Sequence, residues 1–66
     1  MPTEVVLTGI TCRIDADQDP EQLYCVWRGT EVETNTPFLL ETSVPDFADT
    51  EAALESEMTA ADYEFA

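Results

Sequence analysis

Carboxylates are the chemically active side chains of this chain, and their most regular grouping is the stretch "RIDADQDPEQLY", residues 13–24. Asp15, Asp17, Asp19 and Glu21 stand there at every second position. Such a group can bind a divalent cation, work as paired acid and base, or present spaced negative charge to a partner. A calcium loop also begins with acids at its first, third and fifth positions. Its sixth position needs glycine for a sharp turn, where this chain has Pro20, and its twelfth needs a bidentate glutamate, where this chain has Val26. No metal site is expected. Acid–base catalysis needs a pocket whose burial drives two carboxyl pKa values apart, and a nucleophile needs an activating base. The chain has no His, no Lys and no nucleophile motif. The expectation is a protein without catalytic residues or cofactors, not an enzyme.

Presentation of charge remains. The 66 residues hold fifteen acids against two bases, Arg13 and Arg28, for a net charge of −13. That imbalance exceeds what solubility needs, and self-repulsion of this size destabilises a compact state. It speaks against direct nucleic-acid binding, which uses clustered Lys and Arg, and against an anionic membrane surface. The stretch "MPTEVVLTGI" lacks the basic and apolar regions of a signal peptide, and no run reaches membrane-spanning length. A cytoplasmic location is expected. Cys12 and Cys25 match no zinc spacing.

The elements that hold these charges follow from periodicity. Residues 3–14, "TEVVLTGITCRI", are rich in β-branched types, with Val6, Ile10, Cys12 and Ile14 as an apolar row interrupted by Thr8. Residues 22–28, "QLYCVWR", form a second strand with Leu23, Cys25 and Trp27 on one face, and Trp27 is expected in the core. A hairpin closed about Gln18 and Asp19 sets Ile14 opposite Leu23, Cys12 opposite Cys25 and Ile10 opposite Trp27. All three pairs then share one face, which specifies the register. The two thiols become neighbours. Reduced cysteines filling the sheet face are the expectation for a cytoplasmic protein, with a cross-strand disulfide as the alternative. Arg13 and Arg28 fall on the opposite face, within reach of acids.

A third strand over 38–44 follows the turn residues Asn35, Thr36 and Pro37, and residues 31–34 are open to a strand of their own. After Pro45 the composition turns to Ala, Glu and Met, which predicts a helix over about 49–63 capped by Asp49 or Thr50. Leu54, Met58, Ala61 and Phe65 make its apolar stripe. Glu51 and Glu55 are a like-charge pair one turn apart, where an ordinary helix would use Lys. The expected fold is one α+β domain over residues 1–66, an antiparallel three- or four-stranded meander with one C-terminal helix packed on the sheet.

In length, net charge and density of Asp and Glu, the whole chain resembles the small acidic inhibitors of phages and other mobile elements, the anti-CRISPR and anti-restriction DNA mimics. The resemblance implies a partner with a basic nucleic-acid-binding groove, such as a CRISPR effector subunit or a restriction enzyme, in the host cytoplasm. Acids alternating along an extended chain lie about 6.7 Å apart, of the order of the phosphate spacing on one strand. The partner-binding residues expected on this reading are Asp15, Asp17, Asp19, Glu21, Glu31, Glu33, Asp49, Glu51, Glu55 and Glu57. The alternative is a small structural or accessory domain of a halophile, whose acidity adapts it to high salt. A monomer and a homodimer built on a sheet edge are both compatible with so small a sheet.

Overall fold

The computed structural model describes residues 1–66 and has the element order β1 (Thr3–Asp15), β2 (Gln22–Glu31), β3 (Thr36–Val44), α1 (Thr50–Ala60) and β4 (Tyr63–Phe65). A 3-10 turn, Phe47–Asp49, leads into α1. The fold is α+β, with one four-stranded sheet in the order β3-β2-β1-β4. The β1–β2 hairpin has the expected register, with Ile14 opposite Leu23, Cys12 opposite Cys25 and Ile10 opposite Trp27. β2 pairs antiparallel with β3, placing Leu40 opposite Trp27 and Phe38 opposite Gly29.

The sheet is mixed rather than a pure antiparallel meander. Its fourth strand is β4, parallel to β1 with Tyr63 opposite Thr3 and Phe65 opposite Val5. Residues 31–34 do not form a strand of their own, because β2 runs on to Glu31 and residues 32–35 turn back, with Asn35 at φ 58°. Asn tolerates this left-handed conformation better than most residues. The helix is shorter than its composition suggests and stops at Ala60. Asp62 takes φ 60°, its N–H donating to the Thr59 carbonyl at 3.1 Å, and the chain leaves extended. The alternating aromatics Tyr63 and Phe65 then suit a strand. Of the expected stripe, Leu54 and Met58 are buried, Ala61 caps the helix end and Phe65 has left it. Asp49 makes no side-chain cap bond; Asp46 accepts from the Ala48 N–H at 3.0 Å at the start of the 3-10 turn.

Strand β1 also departs from simple alternation. The register shifts between Leu7 and Gly9, a bulge that leaves Thr8 unopposed. One extra residue exchanges the two faces. Beyond it Ile10, Cys12 and Ile14 share the helix-side face, whereas before it that face belongs to Val5, which is fully buried, and Val6 is turned outward and exposed.

The core is small. Val5, Leu54 and Met58 form its centre, with Trp27, Phe38, Leu40 and Tyr63 packed around them. Beneath the helix the Trp27 indole Nε1 donates to the Thr42 hydroxyl at 2.9 Å, so neither buried polar group is left unpaired. Because α1 links β3 at one edge to β4 at the other, it crosses the sheet and meets β1 only near Val5. At about 16 Å for eleven residues it cannot cover a molecule 40 Å long. Ile10 and Ile14 stay half exposed. The radius of gyration, 12.7 Å, exceeds the roughly 11 Å of a compact chain of this length, because the hairpin projects past the core.

Cys12 and Cys25 are joined by a disulfide, in place of the expected pair of free thiols. The register brings their Cα atoms to 4.1 Å. Closing a loop of this size contributes about 3 kcal/mol by restricting the unfolded chain. Unfolding free energy of the Cys12→Ser, Cys25→Ser double variant should fall by about that amount, and reductant should then change nothing further.

Gly29 is required for a different reason. A Cβ there would collide with the Val6 carbonyl of β1 and come within 2.5 Å of the Phe38 ring, which lies over the glycine. Nothing surrounds a Cβ at Gly9. In urea titrations Gly29→Ala should cost about 1–3 kcal/mol through overpacking, while Gly9→Ala should stay within about 0.5 kcal/mol of the parent.

Candidate functional site

The hairpin connection displays Asp17, Asp19 and Glu21 on its exposed surface, with Asp15 half-buried at the end of β1. They do not form a straight track. Residues 16–20 are turn and bend, and the Asp15 carboxylate accepts from the Asp17 N–H at 3.2 Å, folding the chain back on itself. The spacing of an extended strand therefore does not apply to them. No group of three or more Asp, Glu, Cys or His side chains is arranged to hold a metal ion.

A longer acidic surface runs along the helix side of the molecule. Glu21 and Asp46 line one shallow cleft of about 290 Å³, together with Ile14, Leu23 and Phe47. Phe47 also borders a second cleft of about 590 Å³, which holds Glu51 and Glu55 against Trp27, Leu54 and Phe65. Glu55 and Phe65 continue into a third, of about 270 Å³, which ends at Glu64. The shared Phe47 joins Glu21, Asp46, Glu51 and Glu55 in one band, whereas Glu64 alternates with Tyr63 and Phe65 and shares the face of Glu4, away from the helix. The helix repeat sets Glu51 and Glu55 on one flank of the buried Leu54–Met58 stripe. Exposed Phe47 and Phe65 interrupt the charge.

The ten acids expected from the sequence are therefore not brought together. Glu21, Glu51 and Glu55 join the band, and Asp17, Asp19 and Asp49 are exposed acids of the segments that lead to it. Glu57 lies on the other flank of α1. Glu31 and Glu33 are at the opposite end of β2 from the hairpin loop, and Glu31 is half-buried, accepting from the Tyr63 hydroxyl at 3.4 Å. Asp46 completes the band. It follows Pro45 at a helix start, so periodicity alone could not place it beside Glu21.

The opposite face of the sheet differs in character. It carries both arginines, and both interact with neutral partners rather than with acids as expected. Arg28 donates to the Thr11 hydroxyl at 2.9 Å, and Arg13 sits 5.0 Å from the centroid of the Tyr24 ring. Hydrogen bonding to the Glu41 carboxylate, with burial and the charge of that carboxylate, pushes the Tyr24 hydroxyl pKa up, against the smaller opposing effect of Arg13. Burial, then the charge of Glu31 and the bond to it, raises that of Tyr63.

No protein-family model matches the chain, and no curated protein or solved structure matches it. No helix is long and apolar enough to cross a membrane.

The tyrosines give a direct check on this electrostatic arrangement. In the folded protein both keep their protons at a pH where an unfolded tyrosine, with its pKa near 10, ionises. The native state then binds more protons than the unfolded one, so stability should fall as pH rises above about 10. Absorbance titration should show both ionising above the ordinary value, with Glu31→Gln lowering Tyr63 alone and Glu41→Gln lowering Tyr24 alone.

Proposed function

We propose that this protein is a non-catalytic inhibitor that occupies the basic nucleic-acid-binding groove of another protein, with the helix-side acidic band as its contact surface. The observation that carries this reading is the line of charge itself. Glu21, Asp46, Glu51 and Glu55 line two clefts that share Phe47. The net charge of −13 surrounds the band with a strongly negative field. A groove that gains most of its affinity by neutralising phosphates distinguishes such a surface poorly from its substrate. Exposed Phe47 and Phe65 supply apolar contact between the charges, as bases do between phosphates.

The partner class suggested by size and charge is a host defence protein, such as a CRISPR effector subunit or a restriction enzyme. The competing reading, bulk adaptation to high salt, finds support in the absence of Lys. It offers no reason for acids to be missing from residues 5–14 while the helix side is lined with them.

Two measurements separate these readings. Thermal melting in dilute buffer should be cooperative for an inhibitor, whereas a salt-adapted domain should need molar KCl to fold. Against a partner captured from a host lysate, affinity should fall steeply with salt, by roughly a thousandfold between about 50 and about 200 mM if some six ionic contacts form. Neutralising Glu21, Asp46, Glu51 and Glu55 together should flatten that dependence by several units of log–log slope, while Glu33→Gln should leave it unchanged.

A further inference from the structure

The sheet has two edges, and they are built differently. The β3 edge carries Pro37 and Glu41 and ends at Pro45, devices that discourage strand addition. On β1, β4 covers only Thr3–Val5, and the Ala66 N–H adds one bond to the Val5 carbonyl. The outer edge of β1 from Val6 to Asp15 has no neighbouring strand. That edge has no proline, and no acid before Asp15, in a chain where fifteen of 66 residues are acids; its one other charge is Arg13. Beside it, on the helix-side face, Ile10 and Ile14 are 49% and 52% exposed and Cys12 is exposed. Only the bulge at Thr8 interrupts the run.

We propose that this edge pairs with a second copy of the chain, β1 against β1, antiparallel about a two-fold axis at Cys12, giving a continuous eight-stranded sheet. Charge argues for a second copy here. Two molecules of net charge −13 repel at most approaches, but along Val6–Ile14 acid-free strand meets acid-free strand. The register follows from three constraints. Opposed residues of antiparallel strands share a face, pairing must stop short of the bulge, and like charges must not oppose. An axis at Arg13 would oppose the two arginines, an axis at Thr11 would carry Ile14 of the second copy onto Thr8, an axis at Ile10 would carry it past the bulge to Val6, and an axis at Ile14 would leave only residues 13–15 paired. With the axis at Cys12, residues 9–15 pair, Ile10 meets Ile14 of the second copy twice, and Thr11 meets Arg13 of the second copy twice. Ile14, which also borders the cleft of Glu21 and Asp46, is shared between this edge and the acidic band.

Sedimentation equilibrium of the wild-type chain tests it. A mass twice that of the monomer is expected, with the dimer fraction rising toward about 1 M KCl, where the screening length shortens to about 3 Å. Ile14→Glu sets an acid against Ile10 of the second copy and should weaken association roughly tenfold or more without altering the monomer's circular dichroism. The register has its own readout. Cys25→Ser leaves Cys12 free, and diamide, a two-electron oxidant, should take two protons and two electrons from two Cys12 thiols to form an intermolecular disulfide. Adding Ile14→Glu should suppress that cross-link. A monomeric mass at every salt and protein concentration overturns the proposal, as does cross-linking indifferent to Ile14→Glu. Should Cys25→Ser fail to fold, the wild-type mass decides alone.

Discussion

Repulsion among fifteen carboxylates, set against a core with only five buried apolar side chains, is the constraint under which the rest of the structure is arranged. Val5, Cys25, Val44, Leu54 and Met58 cannot offset such repulsion by burial alone in a domain this small. The fold relies on constraint as much as on burial. A long hairpin supplies a continuous ladder, the Cys12–Cys25 disulfide restricts the unfolded chain, and β4 ties the C-terminal segment to β1. Apart from Glu41 within β3, the acids are kept to the loops, the helix exterior, β4 and the strand ends.

That same economy explains the exposed surfaces. One short helix serves as crossover between the two edges of the sheet, so it packs on β3 and β4 and reaches β1 only at Val5. The distal half of β1 keeps its apolar residues and its free edge. The helix start brings Asp46 into line with Glu21, Glu51 and Glu55, with Phe47 and Phe65 beside them. The acidic band and the acid-free edge are two results of one topology.

Much of this was legible in the sequence, for reasons that can be named. The hairpin register was readable because three apolar pairs fall into alignment about one turn, and any slip would expose them. The N-terminal half of β1 departs from the apolar alternation because a single unopposed residue reverses which side chains face the core. The marks were present: Thr8 breaks the apolar row and Gly9 follows it, the pattern of a bulge. The helix end was misread because Ala-rich and Glu-rich composition says where a helix is favoured, while its stop depended on Asp62 adopting φ 60° and on Tyr63 and Phe65 finding β1. The acids of the hairpin loop would form an even track only on an extended chain, and residues 16–20 are turn and bend. Proximity between Glu21 and Asp46, distant in sequence, had no local signal at all.

The central claim is that a basic partner reads the acidic band in place of nucleic acid. Equilibrium displacement measures this most directly, with fluorescently labelled duplex DNA bound to the captured partner and this protein added at fixed salt. The account predicts competitive behaviour: full loss of DNA anisotropy, with an apparent affinity that weakens in proportion to the DNA concentration. A ternary complex, in which DNA stays bound while this protein associates with the same partner molecule, would contradict it.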